Sequence, residues 1–128
     1  ELEKIYKSAV PQAEWSERKL VKLRERTSSV SVLIFICMRP EEHSTIPEVE
    51  NVAAVACAVQ NMYLTCTAYG LGSYWSSPKY VYSEEMKAFL NLGDKDKCLG
   101  MFFMGYPEGE WPKSHRKPLE YVTEWFDK

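Results

Sequence analysis

The segment that decides the fold runs from residue 52 to residue 77 and reads VAAVACAVQNMYLTCTAYGLGSYWSS. Its first half predicts a helix that begins near Pro47 and continues to Tyr69. Gly70 is expected to end this helix in the left-handed conformation, because glycine adopts a positive φ without steric cost. A helix of this length extends about 35 Å, enough to cross a small domain.

A membrane helix is the competing interpretation of this apolar run. Gln60 and Asn61 interrupt the run, and Glu48 and Glu50 precede it. The uninterrupted apolar length is therefore far below the roughly 18 residues that a membrane span needs. We expect a helix buried in a globular domain, whose small side chains let another backbone approach closely, either in the domain centre or across a dimer contact.

Apolar spacing on both sides of this segment predicts the remaining elements. Helices are predicted at 2–9, 15–26, 83–90 and 118–126, and strands at 30–37, just after Gly72, and at 98–106. Strand 30–37 consists mainly of β-branched and aromatic residues, so we expect it to be central in the sheet and buried on both faces. The element order indicates a layered domain of the α/β or α+β class.

The composition describes one globular domain. The chain has 128 residues, 45% of them hydrophobic, and a formal net charge of -2. This near-neutral balance argues against general binding of nucleic acid or of an anionic membrane. The cysteines at positions 37, 57, 66 and 98 form no CxxC pair, which argues against a zinc or redox motif. We expect reduced thiols in a cytoplasmic protein.

Side chains that could carry acid, base or nucleophilic chemistry are scarce, and no catalytic residue or metal ligand is predicted. His43 has no cysteine or histidine partner at ligand spacing. The Gly70-Leu71-Gly72 turn follows a helix and precedes a strand, the reverse of the order found in dinucleotide-binding turns. The basic residues Arg18, Lys22, Arg24 and Arg26 are interpreted as a solvated helix face, with phosphate binding as the alternative.

Four segments nevertheless resemble, in their order and spacing, the compact branch of the nitroreductase family. They are 58–64 (AVQNMYL), 70–77 (GLGSYWSS), 99–107 (LGMFFMGYP) and 115–120 (HRKPLE). The resemblance extends from about residue 30 to residue 125. It implies an α+β fold with three layers, α/β/α, in which a central, mostly antiparallel sheet is accompanied by the long buried helix.

The resemblance also implies a function. Family members are homodimers that bind FMN at the subunit interface, accept hydride from NADH or NADPH, and pass electrons to nitroaromatic, quinone or similar small-molecule acceptors. By the same resemblance, Trp75, Ser76 and Ser77 lie against the flavin and Arg116 holds its phosphate. The residues implied for contact with NADH or NADPH are Thr65, Cys66, Thr67, Ala68, Tyr69 and Gly70.

The beginning of the chain departs from the family pattern. Family members carry an Arg-Arg-Ser-Xaa-Arg string that grips the FMN phosphate, then a segment that lines the flavin pocket. Residues 1–5 match the family pattern just after that segment. We therefore expect residues 1–128 to form one nitroreductase-like domain that lacks the N-terminal phosphate-binding segment. The alternative is a truncated, non-catalytic homodimeric scaffold or weak flavin-binding module.

Two features predict where a dimer would form. The small residues of the long helix provide one contact, and Ala56→Arg is expected to give a poorly soluble monomer. The late aromatic residues Trp111, Tyr121, Trp125 and Phe126 are expected to wrap around a partner subunit.

Overall fold

The computed structural model describes residues 1–43, 45–111 and 113–126. Its elements follow one another in the predicted order as far as the last strand. They are α1 (Leu2–Ala9), α2 (Glu17–Ser29), β1 (Val32–Met38), α3 (Glu48–Ala68), β2 (Gly72–Ser76), α4 (Glu84–Phe89) and β3 (Lys97–Gly105). Short 3₁₀ turns lie at Gln12–Glu14, Lys79–Tyr82 and Leu119–Tyr121.

The three strands form an antiparallel sheet in the order β1-β3-β2. The expectation that the first strand is central is therefore wrong for the described residues, because β3 lies in the middle and β1 at an edge. Val32 is exposed, and within β1 only Ile36 and Met38 are buried. An apolar run shows that a strand is covered, but it carries no information about which strands pair with it.

Helices cover the two faces of the sheet. Side chains of β3 alternate between the faces, so that Met101 and Phe103 pack with α1, α2 and α4, whereas Phe102 packs with α3. These contacts give two apolar clusters, one on each side of the sheet. The three-layer α+β arrangement implied by the resemblance is confirmed.

The pairing of β1 with β3 contains a register shift, next to a close contact between β3 and the end of β2. Ile36 pairs with Gly100 and Cys37 pairs with Cys98, so Leu99 is an extra residue in β3. Gly100 has φ +149°, and a Cβ placed on it would overlap the indole of Trp75 and lie 2.8 Å from the carbonyl oxygen of Ser76. Only glycine allows this close approach.

Helix α3 ends as predicted. Gly70 has φ +68°, and the Leu71 amide donates to the Cys66 carbonyl at 2.8 Å. Burial differs from the expectation, because only Val59 and Cys66 are buried along the helix. The opposite face, called here the outer face of α3, is exposed and includes Ala53, Ala54, Cys57, Leu64 and Ala68, together with the polar residues Gln60 and Asn61. A sheet covers only one side of a helix that packs on it, which leaves this face open in the single chain.

The helix predicted at 118–126 is wrong. The structure has only the short turn Leu119–Tyr121 there, and Val122, Trp125 and Phe126 are exposed. A helix of two turns gains little stability from its own hydrogen bonds and needs packing against other elements. These apolar side chains have no such packing in the single chain.

Candidate functional site

A cavity of about 550 Å³ lies between α1, α2 and the sheet. This volume is within the range of about 300–1,000 Å³ that is typical of small-molecule sites. The lining residues are Tyr6, Ala9, Val10, Pro11, Glu14, Lys19, Lys22, Leu23, Arg26, Ser76, Pro78, Lys79, Tyr80, Met101 and Phe103.

Aromatic and apolar side chains form the inner wall of the cavity. Met101 and Phe103 reach it because they are two residues apart on β3 and therefore share a face of the sheet. Tyr6 of α1 and Tyr80, which follows β2, pack edge to face with ring centroids 5.6 Å apart. All four side chains are buried. Such a wall suits a planar aromatic ligand.

Hydroxyl groups supply polar contacts in the cavity. Burial raises the pKa of the Tyr80 phenol to about 12, although the nearby charge of Arg26 acts in the opposite direction. Tyr80 is therefore protonated at neutral pH and can donate a hydrogen bond. The Tyr6 hydroxyl accepts a hydrogen bond from the Ser16 amide at 3.3 Å. Ser76 adds a hydroxyl at the end of β2.

Four cations line the cavity, whereas Glu14 is the only carboxylate among the lining residues. Lys19, Lys22 and Arg26 lie on one face of α2, and Lys79 follows the end of β2. Within the described parts of the chain, none of the four forms an ion pair with a carboxylate. The cavity therefore carries a positive potential that favours an anionic ligand.

The predicted basic face of α2 is exposed at all four positions, Arg18, Lys22, Arg24 and Arg26, but these residues have different neighbours. Arg24 turns away from the cavity and binds the Glu3 carboxylate through two hydrogen bonds of 2.6 and 2.8 Å. Lys22 and Arg26 instead line the cavity. Lys19, Lys22 and Arg26 are three and four residues apart and therefore share one side of the helix. This spacing is the feature of the sequence that could have indicated a shared site.

The residues Trp75, Ser76 and Ser77 do not all face the same side of the sheet. Ser76 lines the cavity, whereas the Trp75 side chain packs on the α3 side. The Trp75 backbone amide donates to the Tyr63 hydroxyl at 2.5 Å, and its indole nitrogen is buried without a hydrogen-bond partner among the described residues. Ser77 is exposed just beyond the strand.

The segment Thr65 to Gly70 lies at the end of α3, on the opposite side of the sheet from the cavity. Cys66 is buried there with its sulfur 3.3 Å from the Met104 sulfur. The hydroxyls of Thr65 and Thr67 donate to main-chain carbonyls one turn earlier. Ala68, Tyr69 and Gly70 are exposed. Contact of this segment with a nicotinamide cofactor stays a prediction.

Arg116 lies in an exposed segment without helix or strand structure and is not among the residues that line the cavity. Its contact with a phosphate also stays a prediction. The residues that the sequence reasoning missed are those that other elements bring to the cavity, chiefly Tyr6, Lys19, Lys79, Tyr80 and Met101. They lie far apart in sequence, and no local pattern joins them.

Two other kinds of site are absent from the described residues. No three histidine, cysteine, aspartate or glutamate side chains come together in a way that could hold a metal ion within 1–43, 45–111 and 113–126. Among the helices of these same residues, none combines the length and hydropathy of a membrane span.

Comparisons with known proteins agree on one family. The model of the Nitroreductase family matches residues 2–106. The putative NAD(P)H nitroreductase YdjA of Escherichia coli (strain K12) is 24% identical over 92 residues, which cover 72% of this chain and 50% of YdjA. The putative NAD(P)H nitroreductase YfhC of Bacillus subtilis (strain 168) is 23% identical over 104 residues, which cover 81% of this chain and 53% of YfhC. The chain spans about half the length of these curated relatives.

Solved structures show the same fold. A nitroreductase-like family protein from Bacillus cereus superposes with a TM-score of 0.73 at 23% identity, covering 89% of this chain and 63% of that protein. A nitroreductase family protein from Clostridium difficile 630 gives a TM-score of 0.53 at 20% identity, covering 97% of this chain and 84% of that protein.

Proposed function

The chain belongs to the nitroreductase family, and from this premise we infer that it is an FMN-dependent oxidoreductase. In this proposal it transfers electrons from NADH or NADPH to nitroaromatic, quinone or similar acceptors. The curated relatives YdjA and YfhC carry the description putative NAD(P)H nitroreductase, which supports the reaction class.

The cavity against α2 is the observation that carries the proposal. Its apolar and aromatic wall suits a flavin ring, and the hydroxyls of Ser76 and Tyr80 can donate to ring nitrogen and oxygen atoms. FMN, when bound, supplies the electron-transfer chemistry itself, while the protein binds it, orients it and sets the charge around it. The scarcity of acid, base and nucleophilic side chains agrees with this proposal, because the cofactor and not the protein would supply the reactive group.

The cations of the cavity would bind the polar and anionic parts of FMN. Lys19 lies in the first turn of α2, where the helix dipole adds positive potential, and Lys79 lies three residues after Ser76. We assign these two lysines to FMN. Trp75 would act from the other side of the sheet by packing on Gly100 and fixing the end of β2. Ser77, Arg116 and the segment Thr65 to Gly70 remain proposed contacts on the strength of the family resemblance.

The proposal includes a homodimer, and because the cavity lies across the sheet from α3, FMN bound there would lie away from a dimer contact formed by α3. The outer face of α3 consists mostly of small and apolar residues, although it also exposes Gln60 and Asn61, and Leu64 is 59% exposed in the single chain. An exposed patch of this kind, rimmed by polar residues, is typical of a protein–protein contact. The exposed aromatic residues Trp111, Tyr121, Trp125 and Phe126 offer a second contact. All four cysteines are free, and on this ground we extend the proposal to a cytoplasmic location.

The test is titration of the purified chain with FMN, followed by absorbance, flavin fluorescence and the oxidation of NADH and NADPH. We expect saturable quenching of flavin fluorescence and oxidation that depends on added acceptor. Lys19→Glu should weaken FMN binding, whereas Arg18→Glu, an equal charge change at an exposed neighbour outside the cavity, should not. Absence of both flavin binding and NAD(P)H oxidation would overturn the proposal.

A non-catalytic homodimeric scaffold or weak flavin-binding module is the second candidate. The outer face of α3 favours it, because this surface can join two copies whether or not the cavity holds a ligand. Sedimentation of the same samples separates the candidates. A colourless dimer that FMN does not change supports the scaffold, and a dimer that binds FMN and oxidises NAD(P)H rejects it.

A further inference from the structure

Several cations of this protein form ion pairs with carboxylates that lie far away in the sequence. Arg24 is paired with Glu3, Arg39 with Asp96, and Lys97 with Glu48, at nitrogen to oxygen distances of 2.6, 3.0 and 2.7 Å. Lys22 and Arg26 have no such partner in the described parts of the chain, and unlike other unpaired cations such as Arg18 they line the cavity. They are four residues apart on one helix face and both line the cavity.

This arrangement works against the stability of the helix. Like charges spaced three or four residues apart on a helix repel each other, and Lys19 precedes Lys22 at the former spacing. Three like charges on one helix face, beside a cavity whose lining contains a single carboxylate, attract an anionic group. The pair therefore indicates an anion that comes from outside the chain.

Contacts of Arg26 place this charge beside the end of β2. Its guanidinium carbon lies 5.4 Å from the centre of the Tyr74 ring. Tyr74 and Ser76 leave the same face of β2, and Ser76 lines the cavity. Lys22 lies one helical turn before Arg26. Both charges thus belong to the wall that faces the proposed flavin contact at Ser76.

We propose that Lys22 and Arg26 form a subsite for a carboxylate or phosphate group on the reactant that exchanges electrons in this cavity. The inference rests on the proposed function and deepens it, since Lys19 and Lys79 are assigned to FMN itself. The anionic group can belong to an aromatic acceptor or to the phosphates of the nicotinamide donor. The chemistry of recognition is the same in both cases, namely a charge-assisted hydrogen bond to an oxyanion.

The acceptor arm of the test compares 4-nitrobenzoate with 4-nitrobenzamide, which share the ring and the nitro group and differ in charge. The ratio of their kcat/KM values is measured on FMN-loaded protein at low ionic strength. We expect a preference for the carboxylate that falls about tenfold in the double variant Lys22→Gln, Arg26→Gln, the size expected for the loss of charge-assisted contacts. Salt should reduce the preference of the unmodified protein.

The donor arm compares NADH with the uncharged donor 1-benzyl-1,4-dihydronicotinamide in the same variants. A selective loss for NADH assigns the subsite to the donor phosphates, and a selective loss for 4-nitrobenzoate assigns it to the acceptor. Arg18→Gln is the matched control, because Arg18 is exposed on the same helix and does not line the cavity. Lys22→Arg keeps the positive charge and should retain most of the preference for 4-nitrobenzoate over 4-nitrobenzamide.

Equilibrium dialysis of 4-nitrobenzoate gives a readout that needs no turnover. The double variant should bind it about tenfold more weakly than the Arg18→Gln control, and far-ultraviolet circular dichroism verifies that both are folded. If the protein neither binds FMN nor oxidises NAD(P)H, the proposed function fails on its own measurement, and dialysis still decides the anion subsite. Unchanged ratios in both arms overturn the subsite, and so does unchanged dialysis of 4-nitrobenzoate where the protein has no activity to compare.

Discussion

Gly100 shows how one residue fixes the edge of the candidate site. Its φ of +149° and the absence of a side chain allow Trp75 and the Ser76 carbonyl to lie directly against β3. We expect Gly100→Ala to lower the free energy of unfolding by about 3 kcal/mol, because backbone strain and overlap with the indole act together. Urea unfolding followed by tryptophan fluorescence measures this change.

Gly93→Ala is the matched control for that substitution. A Cβ at Gly93 would meet only the Asp96 carboxylate, at the ordinary contact distance of 3.6 Å, and its φ lies outside the positive range. The control should therefore change stability by less than about 1 kcal/mol. If Gly100→Ala is as stable as Gly93→Ala, the close approach of β2 to β3 is not required.

Glu3 provides a second prediction at the residue scale. Hydrogen bonds from Arg24 and Lys7 lower the pKa of its carboxyl to about 2, against an ordinary value of 4.5. Because the pKa is lower in the folded protein, Glu3 stabilises the fold above its ordinary pKa, and this contribution is lost as pH falls towards about 2. Glu3→Gln should lower the urea midpoint at pH 7 and match the unmodified protein near pH 2.

Glu41→Gln serves as the reference, because Glu41 is exposed and forms no ion pair within the described residues. It should not reproduce the pH-dependent difference. The urea midpoints of the Glu3→Gln protein and the unmodified protein are compared from pH 7 to pH 2. If the difference between them does not change with pH, the Glu3 ion pairs add nothing to stability.

At the scale of elements, the proposed dimer would form across the outer face of α3. Ala56 is half-buried at the edge of the side of α3 that faces the sheet. The substitution Ala56→Arg, which the sequence suggests, would therefore disturb the monomer as well as a dimer. Leu64 and Cys57 lie on the outer face and are exposed. We expect Leu64→Arg to convert the dimer to a folded monomer, because an unpaired charge would be buried in the contact.

Sedimentation velocity measures this change, and circular dichroism verifies the fold. Ala88→Arg is the control, since Ala88 is exposed on α4, on the other side of the sheet. It should leave the dimer intact. A Leu64→Arg protein that still sediments as a dimer would place the contact elsewhere on the molecule.

The ends of elements were predictable where a side chain or backbone conformation acts locally. Ser83 caps α4 by accepting a hydrogen bond from the Met86 amide at 3.2 Å, as expected from the sequence, and Gly70 ends α3. The turn at Leu119–Tyr121 was not predictable in this way. Its periodic apolar residues permit a helix, but packing decides whether a short helix forms.

At the scale of the whole molecule, the cavity joins elements that are distant in sequence, and ligand binding should therefore stabilise the entire fold. If FMN binds there, a concentration one hundred times its Kd should raise the free energy of unfolding by about 2.7 kcal/mol. Riboflavin lacks the phosphate and should stabilise less at the same concentration, because it leaves cations of the cavity without a partner.

Urea unfolding with each ligand at low and high ionic strength measures the difference. Salt should narrow the gap between FMN and riboflavin, since the charges that line the cavity are exposed to solvent. Equal stabilisation by both ligands at low salt would show that Lys19 and Lys79 do not contact the FMN phosphate.

The sequence by itself determined the elements from α1 to β3, because caps, turns and apolar periodicity act over a few residues. It also carried the family motifs, and hence the three-layer fold, since these are local strings in a fixed order. Tertiary structure alone decided that β3 is the central strand, because pairing partners lie far apart in the chain. It likewise decided that Lys22 and Arg26 face a cavity while Arg24 binds Glu3. Spacing shows which residues share a helix face, but only packing determines what that face meets.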